Sequence, residues 1–184
     1  MRIITGKAKG HNIGVPTNKH IRPAQDMVRQ AVFSMLKGLV ENARVLDLYA
    51  GTGSYGLEAL SRGAKKAIFV DIDQGCTRTI KQNLQTSRLE SRGEVEKAAA
   101  QQFVNIYPQT GKDKFDLIFL SPPYKEGKKL QLLKSLSKIL KAKGVIVFDH
   151  SKETNLPQEL DNLKIIRQRT YGETAVSILT NKLN

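Results

Sequence analysis

The chain has 184 residues, 40% apolar and 26% charged, which is the balance of a globular protein able to close a hydrophobic core. It contains no run of 18 apolar residues and no apolar stretch near Met1, so a transmembrane helix is excluded and the cytoplasm is the expected location. Its single cysteine, Cys76, excludes an internal disulfide, and with only three histidines beside it no metal site is expected. Thirty Lys and Arg against 17 Asp and Glu give a formal charge of +13, a field that attracts polyanions and speeds encounter with them.

Residues 1–22 read as an irregular or hairpin extension, with glycines at 6, 10 and 14 and Pro16. Lys7, Lys9, Lys19, Arg22, Arg29 and Lys37 crowd the first forty residues, where Asp26 is the only acid. A second basic cluster, Lys125, Lys128, Lys129, Lys134, Lys138, Lys141 and Lys143, is opposed only by Glu126. Charge gathered in this way favours a nucleic-acid partner over a uniformly basic coat. A helix is expected from Pro23, with Val28, Val32, Leu36 and Leu39 as its apolar stripe.

Strands and helices then alternate. Strands are expected at 44–49, 67–70, around Val95, at 115–120 and at 145–148. Between them, helices are expected over 57–60, up to about Leu89, around Phe103, and over Leu130–Leu140. The tail, 164–171 and 174–180 around Gly172-Glu173, reads as a hairpin. Such alternation predicts an α/β, Rossmann-like domain with a mostly parallel seven-stranded sheet covered on both faces, its edge extended by the C-terminal antiparallel hairpin. No repeat or linker divides the chain, so residues 1–184 are expected to form one domain, most simply a monomer.

In open α/β sheets, ligands sit beyond the carboxyl ends of the strands where strand order reverses. The turn after the first strand is Asp47-Leu48-Tyr49-Ala50-Gly51-Thr52-Gly53-Ser54-Tyr55-Gly56, whose glycines let backbone approach a ligand closely. Gly51, Gly53 and Gly56 also match the dinucleotide fingerprint, with Asp71 or Asp73 near the ribose position. Asp47 argues against that reading, because a carboxylate within the strand repels pyrophosphate and suits a ligand with an ammonium group and a positive sulfur. Asp71 can accept two hydrogen bonds from a ribose diol.

The fourth strand ends in Leu120-Ser121-Pro122-Pro123-Tyr124. Two prolines cannot continue a central strand, yet their carbonyls remain available at the ligand-binding end of the sheet. An exocyclic amine on a base shares its lone pair with the ring, so acceptors aimed at its protons are needed to hold it and favour a tetrahedral nitrogen. Ser121 Oγ and the Pro122 carbonyl are suited to this, and Tyr124 offers a face on which an extruded base can stack, worth roughly 1–3 kcal/mol.

The segment Val45-Leu46-Asp47-Leu48-Tyr49-Ala50-Gly51-Thr52-Gly53 resembles motif I of class I S-adenosylmethionine methyltransferases, and Ser121–Tyr124 resembles motif IV of their amino-methyltransferase members. Further stretches, Gly6-Lys7, Lys9-Gly10, Val15-Pro16, 21–33, 56–64 and 171–175, resemble the bacterial RsmD family over nearly the whole chain. The resemblance implies methylation of guanine N2 in small-subunit ribosomal RNA, with S-adenosylmethionine as cofactor and ribosomal RNA or the assembling small subunit as partner. It places Asp47, Tyr49, Ala50, Gly51, Thr52, Gly53, Gly56, Asp71, Ile72 and Ala99 around the cofactor. Ser121, Pro122, Pro123 and Tyr124 fall at the reaction centre, and Arg22, Asp26, Arg29, Lys7, Lys9 and Lys125 against RNA.

Two residues depart from the family pattern. Ser121 stands where Asp or Asn is usual, which keeps an acceptor but loses the charge; Ala99 replaces the residue that usually holds the adenine amine. The alternatives these departures raise are an amino-methyltransferase acting on adenine or cytosine, and a non-catalytic RNA-binding assembly factor. An NAD-dependent oxidoreductase fits Asp47 and Pro122-Pro123 least.

Overall fold

A computed structural model describes residues 1–16, 26–124 and 127–182. Its sheet comprises β1 (Arg44–Leu48), β2 (Lys66–Asp71), β3 (Gly93–Lys97), β4 (Phe115–Leu120), β5 (Leu140–Ser151), β6 (Glu159–Leu160), β7 (Leu163–Tyr171) and β8 (Thr174–Asn181). The helices are α1 (Asp26–Met35), α2 (Ser54–Ser61), α3 (Gln74–Thr86), α4 (Ala100–Ile106) and α5 (Lys129–Leu136). The strands lie in the order β3-β2-β1-β4-β5-β8-β7-β6, with β1 to β5 parallel and the last three antiparallel. The order reverses between β1 and β4, which puts the glycine turn and the diproline turn side by side.

Alternation along the strands divides the core in two. Val45, Phe69, Phe119 and Val147 face a layer completed by α1, α2, α3 and the N-terminal segment. Leu46, Ile68, Ile118 and Phe148 face α4 and α5. Both faces of the central strands are buried, which is why these strands read as nearly continuous apolar runs.

The differences from the sequence expectation are local. Helix α5 stops at Leu136, and Leu140 opens β5 opposite Phe115, because its side chain completes the apolar layer from the sheet. Strand β5 runs on to Ser151 because β8 pairs with it from Val145 to Ser151. Among the described residues the sheet has eight strands where seven are expected; β6 is two residues long, too short to show a period. Helix α3 ends at Thr86, where Arg88 adopts a left-handed φ of 56° and the Leu89 N–H returns to the Leu84 carbonyl at 2.9 Å. Leu39 lies beyond α1 and is exposed; the expected start of that helix at Pro23 lies outside the described residues.

The N-terminal segment is a hairpin, joined at Arg2 and Asn12, and buried polar side chains clamp it. Glu58 of α2 accepts hydrogen bonds from the N–H groups of Ile4 (2.7 Å) and Thr5 (3.0 Å). Ser61 Oγ accepts from Ala8 N–H and donates to the Thr5 carbonyl. On α3, Asn83 bonds both the N–H and the carbonyl of Gly14, and the Thr52 carbonyl as well. A Cβ at Gly6 would lie 2.0 Å from the Ser61 carbonyl oxygen, so the backbone can approach α2 only as glycine.

Candidate active site at the tips of the central strands

Asp47 is 2% exposed and points into the α1–α3 layer, level with Phe119 on β4. Its Oδ2 accepts a hydrogen bond from the Gly56 N–H at 2.9 Å, tying the strand to the first turn of α2. Burial pushes its carboxyl up to about 8; the Gly56 hydrogen bond opposes that shift and the nearby Asp71 charge reinforces it. The carboxyl expected to be ionised is thus mainly protonated near neutral pH, and a cation beside it would favour the charged form.

The chain leaves β1 through Tyr49 and Gly51, both in the left-handed region at φ 56°, and enters α2 from Gly53 at φ 76°. Gly56 packs so closely on the Phe69 ring that a Cβ there would lie 2.2 Å from it. Ala50 and Thr52 are buried in the turn, with the Ala50 carbonyl taking the Gly53 N–H at 2.7 Å.

Asp71, at the end of β2, spans the next gap. Its Oδ2 accepts from Gly51 N–H and its Oδ1 from Asp73 N–H, both at 2.9 Å. Each oxygen keeps a second lone pair, so the carboxylate can brace the glycine turn and still meet a diol. Beside it Ile72 is 66% exposed, an apolar side chain held at the rim. Ala99 is the residue before α4 and offers no side-chain hydrogen bond; its carbonyl takes the Phe103 N–H.

On the other side of the switch point, Ser121 N–H reaches the Leu48 carbonyl, 3.4 Å away. Ser121 Oγ is buried and has no hydrogen-bond partner among the described residues, an uncommon state for a hydroxyl. Pro122 is buried and Pro123 exposed. The Tyr124 hydroxyl meets Thr174 Oγ1 at the start of β8, and Lys129 donates to the Tyr124 carbonyl at 3.0 Å. The closing segment of the chain therefore steadies the diproline turn.

The basic residues divide differently from expectation. Lys7, Lys9 and Asp26 are exposed, while Arg22 and Lys125 lie outside the described residues. Arg29, expected to meet phosphates, is fully buried: its guanidinium bonds the Arg2 carbonyl and Asp26, and Nε lies 3.8 Å from Glu58. In this position it reaches no solvent, and its charge faces the buried Glu58 and the exposed Asp26.

Two residues of the site stand out only in the structure. Tyr55 is 4% exposed and stacks on Phe119 with ring centres 4.8 Å apart; its hydroxyl donates to Asp149 Oδ2 at 3.4 Å. Burial drives the Tyr55 hydroxyl well above its ordinary value, and burial likewise pushes the Asp149 carboxyl up to about 6. The only available signal was an acid interrupting the apolar run of β5. No group of three His, Cys, Asp or Glu side chains able to hold a metal occurs among the described residues.

The family model described as "Conserved hypothetical protein 95" matches residues 1–180. The YlbH protein of Bacillus subtilis is 38% identical over 182 residues, covering 97% of either chain. The ribosomal RNA small subunit methyltransferase D of Haemophilus influenzae is 31% identical, with 98% of this chain and 94% of that one aligned. The Escherichia coli protein of the same name is 30% identical over 181 residues, covering 95% and 87%. Among solved structures, the Escherichia coli yhhF protein superposes with a TM-score of 0.84 at 28% identity, covering 100% and 99%. The Streptococcus mutans SMU.776 structure, a complex with S-adenosylhomocysteine, shares the fold at 15% identity with a TM-score of 0.69, covering 86% of this chain and 50% of that one. With a glycine turn and a diproline turn meeting at the switch point of a doubly wound sheet, and with relatives matched from end to end, the chain belongs to the RsmD family of class I methyltransferases.

Proposed function

We propose that the chain transfers a methyl group from S-adenosylmethionine to the exocyclic N2 amine of a guanine in small-subunit ribosomal RNA, working as a single methyltransferase domain. The observation that carries this reading is the pairing of Leu48 with Leu120, which sets a buried acid and a glycine turn directly beside an unpartnered hydroxyl on a diproline corner. Relatives named for ribosomal RNA methylation give the substrate class.

The residues present fit the cofactor. Asp47 would balance its positive charge, Gly51 and Gly53 would let backbone approach its methionine part, and Asp71 would accept from its ribose hydroxyls. Ile72 would cover the adenine, whose amine would bond backbone or water where Ala99 has no polar group. When bound, the cofactor supplies a methyl group on a cationic sulfur. Ser121 Oγ and the Pro122 carbonyl hold the acceptor amine by its protons, and Tyr124, braced by Thr174, stacks on the base. Fixing the two partners in line supplies much of the acceleration. Exposed Lys7 and Lys9, with Arg22 and Lys125, would hold RNA phosphates.

The test is transfer of labelled methyl to unmodified small-subunit ribosomal RNA, free and in partly assembled particles, followed by mass spectrometry of the nucleoside. N2-methylguanosine is expected. Labelled adenosine or cytidine would overturn the base assignment, and RNA binding without transfer would make the chain an assembly factor.

A further inference from the structure

The last paired residues of β4 and β5 are Leu120 and Phe148. One step further along these parallel strands, Ser121 and Asp149 stand beside each other. Phe119 and Val147 lie in the α1–α3 layer, and Leu120 and Phe148 lie in the opposite one. Alternation therefore turns Ser121 and Asp149 to the same side as Asp47. Tyr55 fixes Asp149 from α2, its hydroxyl on Oδ2 and its ring on Phe119. Among the described residues Tyr55 is the hydrogen-bond partner of this carboxyl, so Oδ1 and a second lone pair on Oδ2 are left to accept, one residue across from the start of the diproline corner.

The chemistry at that corner needs such a group. Ser121 can accept a hydrogen bond but cannot take up a proton, and the amine must lose one on methylation. Guanine presents two adjacent donors, N1–H and N2–H, which match the two oxygens of a carboxylate. Adenine and cytosine place a ring-nitrogen acceptor beside their amine, which a carboxylate repels.

Resting on the reading of the site as a guanine-N2 methyltransferase, we propose that Asp149 is a catalytic residue that accepts hydrogen bonds from guanine N1–H and from the N2–H beside it, which it shares with Ser121 Oγ, and takes the departing proton. The N2 lone pair forms the new N–C bond while the C–S pair returns to sulfur, leaving a neutral thioether. The proton that nitrogen sheds passes to the Asp149 carboxylate, which releases it to water. Burial sets the Asp149 carboxyl to about 6, so it is mainly ionised at neutral pH yet basic enough to accept. The ionisable group that meets it directly is Tyr55 from α2; Asp47 from β1 and Arg29 from α1 act on that tyrosine, and its register partner on β8 is Val176.

The experiment measures methyl transfer to unmodified small-subunit ribosomal RNA by the whole chain at saturating cofactor, for the native protein, Asp149→Asn and Asp149→Glu. The amide variant should bind S-adenosylhomocysteine within about twofold of the native affinity but transfer at least about 100-fold more slowly. Its rate should also lose the native dependence on pH, while the glutamate variant recovers part of both. Guanosine methylated by Asp149→Asn at the native rate overturns the proposal. If that variant does not fold, the native profile decides: the rate should rise about tenfold per pH unit up to the Asp149 value and then level, and a flat profile from about pH 5 to 8 overturns the role. A native protein that labels no guanosine at all instead defeats the parent reading.

Discussion

The two faces of the sheet are built on different terms. The layer between the sheet and α4–α5 is almost wholly apolar; its buried polar side chains are His150 and Ser177, which bond each other at 2.8 Å. The layer under α1–α3 encloses Arg29, Asp47, Thr52, Glu58, Ser61 and Asn83 within equally dense hydrophobic packing. One face thus holds the sheet together, whereas the other also positions charge, and the candidate chemistry sits at the tip of the second. Buried ionic groups add little net stability, but removing one partner leaves the other unpaired at high cost. The polar face should therefore be brittle where the apolar face is merely strong.

Breaking the polar face at its centre should have the largest effect. Arg29→Ala removes one of the two guanidinium groups on Glu58, a link to Arg2 and the volume of a fully buried side chain, leaving Arg62 at 2.8 Å from that carboxylate, so chemical denaturation should show a loss of about 3–5 kcal/mol. Hydrogen exchange should quicken at Ile4 and Thr5, whose N–H groups depend on Glu58.

Leu133→Ala on the other face tests the contrast. It should destabilise by about 2–5 kcal/mol, as expected of a fully buried leucine, while affinity for S-adenosylhomocysteine measured on the folded protein stays unchanged. A large loss of affinity would mean that the two faces are coupled.

Asp47→Ala should act the other way, lowering cofactor affinity by roughly 10- to 100-fold in calorimetry, the worth of one hydrogen bond to a charged group.

The smallest effect is a pH dependence. Because burial raises the Asp47 carboxyl from 3.8 to about 8, the folded chain binds this proton more tightly than the unfolded chain does. The resulting stability is fully present below pH 3.8 and is lost as pH rises through about 8. Asp47→Asn carries no such charge, so its melting temperature relative to the native protein should climb between pH 6 and pH 9. Titrating cofactor below pH 8 in buffers of different ionisation enthalpy should show proton release from the native chain and less from the amide variant.

The same contrast explains what the sequence made legible. β4 falls at the expected residues, and the glycine and diproline turns meet as expected, because an apolar run, a glycine spacing and a proline pair are local signals. Arg29 looks like a phosphate-binding surface residue in sequence because its environment is made elsewhere, by a carboxylate 29 positions later and a carbonyl 27 positions earlier. Glu58, Ser61 and Asn83 look like solvated helix positions until the N-terminal hairpin is laid across them. Asp149 reads as the polar end of a strand, and only its register beside β4 brings it to the candidate reaction centre.

The hairpin's attachment also bears on how the polypeptide matures during synthesis. Its first sixteen residues emerge before any of the side chains that fasten them, and Asn83, which secures Gly14, appears almost seventy residues later. Residues 4–8 can be fastened once Glu58 and Ser61 of α2 have left the ribosome, whereas Gly14 must wait for Asn83 of α3, so the hairpin is secured in two stages.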